Sequence, residues 1–186
     1  MKIELTDLPG VLILTPPRFG DARGWFSETW NASRMAEAGL DLTFVQDNHS
    51  FSAQPGTLRG LHFQTPPHAQ DKLVRCSRGA IRDVAVDGRA GSPTYGKWVA
   101  VDVTPENGRQ VLVPKGFLHG FVTLLPDTEV QYKCTDVYAP ECDSGVRWDT
   151  IGIDWGLTGD PVLSAKDAAA PAFGEWISPF AYEGAA

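Results

Sequence analysis

Turn-forming residues interrupt this chain too often for a long helix to fit. From Leu73 onward they recur at Arg78-Gly79, at Asp87 to Pro93 and at Pro105 to Gly108, and the stretches between them are short apolar runs of strand length. Val99, Val101 and Val103 alternate with Ala100 and Asp102, and Val111 and Val113 run into Pro114. A period of two puts one set of side chains on a buried face and the other on the opposite face. The 19 glycines and 14 prolines lie in small clusters between such runs, as many strands joined by tight turns require. The predicted class is therefore mostly β, a meander folded into a sandwich or barrel. With 186 residues, 42% of them hydrophobic, the chain supplies one well-buried core and is too short for two ordinary domains.

Several function classes are disfavoured on charge and composition. A net charge of −7 argues against a nucleic-acid or anionic-membrane surface, while leaving room for a local Arg/Lys pocket around one anionic ligand. No run of 18 apolar residues exists, and Met1 to Gly10 lacks the apolar core of a signal peptide, so a cytoplasmic location is expected. Cys76, Cys134 and Cys142 form no C-x-x-C pair. An odd count of this kind fits reduced thiols, two in packing positions and one in a loop.

Before residue 57 the signals are mixed. Val11 to Thr15, closed by Pro16 and Pro17, reads as a strand near a sheet edge. Asp21 to Glu28 reads as a turn leading into an aromatic strand, with Arg23 and Glu28 as an exposed pair or as ligand contacts. Asn31 to Gly39 is predicted to be one short helix, capped by Asn31 and ended by Gly39. Phe44 to Ser52 carries a dense polar cluster, Asp47, Asn48 and His49, expected to form a turn or a ligand loop. Near the other end, Ser164-x-x-Asp167 opens a short Ala-rich segment as a capping box.

The chemistry-bearing residues concentrate in Thr57 to Lys72, where Arg59, His62, Gln64, His68 and Lys72 sit among apolar residues and a Pro-Pro turn. Strand alternation groups Leu58, Gly60, His62 and Gln64 on one face and Arg59, Leu61 and Phe63 on the other. In Glu129 to Cys134 the same rule points Val130, Tyr132 and Cys134 inward, and an inward phenol needs a polar partner. Ile81, Asp83 and Ala85 likewise face in. His62 as a base, Lys72 as a cation and Tyr132 as an acid suit one reaction class. They fit removal of a proton beside a ketone, stabilisation of the enolate and return of a proton to the opposite face, which is an epimerisation.

Two fragments resemble the motifs of the cupin barrel, a jelly-roll fold. Pro114 to His119 has the P-x-G-x-x-H spacing; His62-Phe-Gln64 stands where metal cupins carry H-x-H, and Lys72, with six residues between it and Gly79, stands where they carry Glu. An ammonium in place of a carboxylate repels a divalent cation, so no metal and no other cofactor is expected. A metal-dependent cupin using His62, His68 and His119 is the competing reading. Another is a non-catalytic nucleotide-sugar binder in which Arg23 and Arg59 hold phosphate.

The chain as a whole resembles the dTDP-4-dehydrorhamnose 3,5-epimerase family. The matching pieces are DARGWFSE (21–28), FVQDNHS (44–50), LRGLHFQTPPHAQDKLVRC (58–76), DVAVDGRAGSPTYGKW (83–98), VPKGFLHGF (113–121), VQYKCTDVYAPE (130–141) and LSAKD (163–167). The resemblance implies a single cupin-type domain over 1–186, with an N-terminal arm of about residues 1–50 exchanging contacts in a homodimer and a C-terminal segment of about residues 150–186 packing on the barrel. It implies His62 as proton acceptor, Tyr132 as proton donor, Lys72 at the enolate and Asp167 orienting His62, with Asp83 the rival for that last role. It further implies Arg23, Glu28, Asp47, Asn48, His49, Arg59, Gln64, His119 and Lys166 as ligand contacts, Tyr138 beside the nucleotide base, and Asp143 where the family usually has Glu. The expected substrate is a dTDP-4-keto-6-deoxy-hexose inverted at C3 and C5, or at one of them. Phe121, Thr123 and Tyr138 are the mouth positions expected to decide which.

Overall fold

The computed structural model describes residues 1–184. In chain order the strands are β1 (Lys2–Leu5), β2 (Leu12–Thr15), β3 (Phe19–Asp21), β4 (Gly24–Phe26), β5 (Gln46–Ser52), β6 (Leu58–Gln64) and β7 (Lys72–Arg78). They continue with β8 (Ile81–Asp87), β9 (Trp98–Val103), β10 (Gln110–Val113), β11 (Phe117–Thr123), β12 (Thr128–Cys134) and β13 (Asp143–Gly145). Helix α1 (Ala32–Glu37) lies between β4 and β5, and α2 (Ala165–Ala168) follows β13. One sheet runs β1-β2-β10-β7-β12-β5, a second runs β13-β6-β11-β8-β9, and β3-β4 is a separate hairpin. The two larger sheets, antiparallel throughout, face each other as a cupin-type jelly roll.

Three apolar clusters hold the sheets. Between them, Val74, Val111 and Val130 of the six-stranded sheet meet Ile81, Val103 and Phe117 of the other; each such side chain, fully buried, stabilises by about 1.5–3 kcal/mol. On the outer face of the six-stranded sheet, Leu14, Leu73 and Leu112 pack under Met35 of α1 with Trp30 and Phe44. On the outer face of the five-stranded sheet, Leu61, Val84 and Leu118 pack under Trp148, Trp155 and Phe180. Cover on both faces explains why all seven residues of β11 are buried. No helix among the described residues is long and apolar enough to cross a membrane.

The predicted helix forms as expected. Asn31 Oδ1 accepts the Arg34 N–H at 3.2 Å, and Gly39 adopts φ +84°. The N–H groups of Gly39 and Leu40 bond back to Ala36 and Met35 at 3.0 and 2.8 Å, the paired closure of a Schellman end.

The Leu12–Thr15 strand lies next to the sheet edge, as expected, with the edge strand β1 on one side and β10 on the other. Two expectations are corrected. Asp47, Asn48 and His49 form neither turn nor loop. They lie in β5, which pairs residue by residue with β12 at the sheet edge, where polar side chains on both faces hide the strand from alternation rules. Finally, Arg59 shares the inner side with His62. The β6/β11 register runs His119 to His62 and Phe121 to Arg59, with a shift between them. One residue on β11, Gly120, therefore opposes two on β6, Gly60 and Leu61, and the alternation slips by one.

Candidate active site

Strand parity and that slip bring the chemistry to one place. A cavity of about 410 Å³ opens between the sheets, with Arg59 and His62 from β6 and His119 from β11 on one wall. Lys72 from β7 and Tyr132 from β12 form the facing wall, and the segment carrying Ser164, Lys166 and Asp167 closes the side. On β7, Lys72 follows the inward phase of Val74 and Cys76; on β12, Tyr132 follows Val130.

His62 is held by Asp167. The Nε2–Oδ1 distance is 2.5 Å, and the Asp167 side chain is 5% exposed. The sequence left this aspartate divided between a capping role and an orienting one, and the structure gives it both. Its backbone N–H donates to Ser164 Oγ at 3.1 Å, while its carboxylate reaches His62. Burial pushes the Asp167 pKa up, but the hydrogen bond and charge of His62, with help from Ser164 and the Gly60 N–H, outweigh it and leave the group more acidic than usual. An ionised Asp167 fixes the proton on Nε2 and leaves Nδ1 as the basic nitrogen. The rival, Asp83, is taken by another partner: its Oδ2 lies 2.8 Å from His119 Nε2.

The facing wall supplies a cation and a phenol. Burial lowers the Lys72 pKa, opposed by the negative fields of Cys134, Asp143 and Asp83. A poorly solvated ammonium gains more from an oxyanion than a solvated one does. Burial raises the Tyr132 pKa, with Cys134 and Asp143 adding to the rise and Arg59 opposing it, so the phenol keeps its proton at neutral pH. Arg59 donates through Nη2 to the Phe51 carbonyl at 3.2 Å. Its Nε is buried with no partner among the described residues, a free donor suited to an anionic ligand.

At the mouth, Asp143 on β13 accepts from the Tyr138 hydroxyl at 3.1 Å and pairs with Lys166, so three candidates form one cluster beside Asp167. Two others leave the site. Gln64 is buried, and its amide is spent on the backbone, donating to the His68 and Val137 carbonyls and accepting from the Ala139 N–H; it braces the 65–70 and 135–142 segments rather than facing a ligand. Thr123 is buried too, bonded to the Gln54 carbonyl and the Thr57 N–H, and only Phe121 of the two β11 mouth candidates lines the cavity. His68 stands apart, with Nδ1 3.4 Å from Asp136. Among the described residues no cluster of three His, Cys, Asp or Glu side chains could hold a metal ion.

The N-terminal candidates lie elsewhere in this chain. Arg23 pairs with Asp21 at 2.5 Å at the tip of the β3-β4 hairpin, and Glu28 pairs with Arg34 at 2.8 Å. On β5, Asp47 turns outward to Lys133 at 2.9 Å and His49 outward to Glu129 at 3.1 Å. Asn48 points the other way, toward Cys134 Sγ at 3.6 Å. The one loop thiol, Cys142, is buried like Cys76 and Cys134. Sequence reasoning missed Ser50, which lines the cavity with a buried, unpartnered hydroxyl. Its signal is its place two residues past Asn48, on a strand whose polar sequence suggests a turn or a ligand loop.

Comparison with known proteins agrees with this geometry. A family model described as dTDP-4-dehydrorhamnose 3,5-epimerase matches residues 5–175. A Sinorhizobium fredii protein of that name is 50% identical over 184 residues, 98% of this chain and 94% of its own. One from Salmonella typhimurium is 52% identical over 174 residues, 92% of this chain and 94% of its own. Among solved structures, a Legionella pneumophila dTDP-6-deoxy-D-glucose-3,5-epimerase in complex with dTDP-4-keto-L-rhamnose superposes with a TM-score of 0.94 at 42% identity, covering 98% of this chain and 99% of that one. An inward imidazole–carboxylate pair facing a lysine and a tyrosine across a cupin barrel, together with identity of this extent along nearly the whole length, leads to one conclusion: the chain belongs to the dTDP-4-dehydrorhamnose 3,5-epimerase family.

Proposed function

We propose that this protein inverts C3 and C5 of dTDP-4-dehydro-6-deoxy-D-glucose, giving dTDP-4-dehydro-L-rhamnose. The observation that carries the reading is the placement of His62, backed by Asp167, and Tyr132 on opposite walls of one cavity with Lys72 between the sheets. His62 Nδ1 takes the proton from the carbon beside the C4 ketone, and the electron pair moves onto O4. Lys72 stabilises the resulting enolate. The Tyr132 hydroxyl then delivers a proton to the opposite face of the same carbon, so the stereocentre inverts. Both C3 and C5 flank the ketone, and one base, one acid and one oxyanion site serve both after the sugar shifts. Arg59, Lys166 and Asn48 are assigned to the nucleotide diphosphate and sugar, and Tyr138 to the base by stacking. The names of the relatives support the same substrate.

The test is the reaction in D₂O with NMR of the product. Deuterium and inversion at both C3 and C5 are expected; label and inversion confined to one carbon make the protein a mono-epimerase.

The protein is further proposed to act as a cytoplasmic homodimer. Phe19, Trp25 and Phe26 on the β3-β4 hairpin are 62%, 61% and 69% exposed, an apolar cost that a second copy relieves. Arg23 and Glu28 travel with that arm toward the neighbouring barrel. Sedimentation showing a fully active monomer at assay concentration overturns this.

A further inference from the structure

The mechanism proposed above uses one imidazole–carboxylate pair, yet the cavity contains two. His119 and Asp83 have side chains 8% and 0% exposed, joined through Nε2 and Oδ2 at 2.8 Å. With Asp83 accepting from Nε2, the other ring nitrogen, Nδ1, has no partner among the described residues and belongs to the cavity wall.

Asp83 is a poor choice for packing. Its β8 neighbours on the same face, Ile81 and Ala85, belong to the apolar core, and its Oδ1 is buried with no hydrogen-bond partner among the described residues. A buried carboxylate with one oxygen unpaired is costly unless positive charge compensates it. On the facing wall the nearest compensating cation is Lys72. The negative field of Asp83 favours the charged form of Lys72, against the burial that disfavours it.

Register supplies the rest. His119 is the direct cross-strand partner of His62, and directly paired residues hold their Cβ atoms about 4.5–5.5 Å apart. A substrate carbon at His62 therefore has its neighbouring carbonyl oxygen within reach of the next strand, where His119 projects. We propose that Asp83 is a positioning residue that holds His119 through Nε2–H and favours a second proton on Nδ1, so that the Nδ1–H of the imidazolium and Lys72 together hold the enolate oxygen. This inference rests on the epimerase reading. The charged or titratable groups facing His119 and Lys72 are Cys134 from β12, Asp143 from β13, Lys166 and Asp167 from the α2 segment, Arg59 and His62 from β6, and Tyr132 from β12.

The test compares the wild type with Asp83→Asn, which keeps the volume and removes the charge. Expected is a loss of about 10²-fold in kcat, the size of one oxyanion donor, with KM and the affinity for dTDP unchanged within about twofold. The alkaline limb of kcat should also move to lower pH, because Lys72 loses a supporting anion. His119→Gln should repeat the kcat loss, and the double variant should be no slower than either single one. A wild-type kcat and limb in Asp83→Asn overturns the inference, as does a kcat loss matched by an equal loss of dTDP binding with the limb unmoved, which marks a merely structural residue. Should Asp83→Asn fail to fold, nitrogen-15 histidine spectra of the wild type with dTDP bound decide: protons on both His119 nitrogens support the assignment, and a proton on either nitrogen alone overturns it. A wild type that neither exchanges nor inverts its substrate defeats the epimerase reading before any variant is made, so the two failures are distinguishable.

Discussion

His62 Nε2 and Asp167 Oδ1 lie 2.5 Å apart although 105 positions separate them in the chain. The first belongs to β6 and the second to a four-residue helix, and their contact ties the imidazole to the segment that closes the cavity. Because the carboxylate occupies one ring nitrogen, only the other is left to accept a proton.

Removing that support should slow the reaction without abolishing binding. Asp167→Asn is expected to lower kcat by about 10²-fold or more, since an amide no longer enforces the Nε2–H tautomer. The affinity for dTDP should be nearly unchanged, and steady-state kinetics beside calorimetry on dTDP measure both.

Base and acid variants should fail differently. His62→Ala is expected to abolish both solvent exchange and inversion, whereas Tyr132→Phe should still exchange label in D₂O while inversion slows by about 10²-fold or more, the scale of general-acid catalysis. If Tyr132→Phe inverts at a normal rate, the acid is another group, with Tyr138 or a water the first to examine.

Activity should survive exhaustive chelation. Lys72 brings positive charge to the position where a metal cupin has a carboxylate, Gln64 is turned away from the site with both N–H donors and its oxygen engaged by backbone groups, and His62 and His119 are each committed to an aspartate. Stoichiometric zinc, iron or manganese whose removal stops turnover contradicts this.

Acid stability should depend on a residue outside the site. Burial pushes the Asp87 pKa up, but hydrogen bonds from Arg89, Ser92 and Thr94 more than reverse this and bring it down to about 2 from an ordinary 3.8. A depressed carboxylate stabilises the fold above its unfolded-state pKa, and that contribution is lost as pH falls through the folded-state value. The loss is about 2 kcal/mol between roughly pH 4 and pH 2, from 1.36 kcal/mol per unit. Urea unfolding at stepped pH should show this slope in the wild type and a flatter one in Asp87→Asn, which should also be less stable at neutral pH.

Much of this was legible in the residues, where one face of a strand is apolar enough to reveal its phase. Val130, Tyr132 and Cys134 face in as alternation predicts, and Ile81, Asp83 and Ala85 do the same. Alternation failed where the ladder slips or has no apolar face. Arg59 changed sides at a register shift marked only by an in-strand glycine, Gly60, which the alternation rule does not weigh, and β5 is polar in both phases. Asp83 was correctly placed inward, but its partner was not visible, because a choice between His62 and His119 depends on distances across adjacent strands. Gln64 looked like a ligand because its neighbour is His62; its task is to stop up backbone carbonyls, which only tertiary structure reveals.

The slip that brings Arg59 round beside His62 sits at Gly60, whose φ is +148°, and a Cβ added there would stand 2.6 Å from the Gly120 Cα. Neither backbone has room to move aside, since a Cβ on Gly120 would meet the Arg59 carbonyl at 2.9 Å. The alignment of Arg59 with His62 is thus recorded in two residues that have no side chain. A library randomised at position 60 or 120 should yield almost no active clones, while neighbouring surface positions tolerate change, and a screen scored by chemistry would find two of its least forgiving sites at residues that do none.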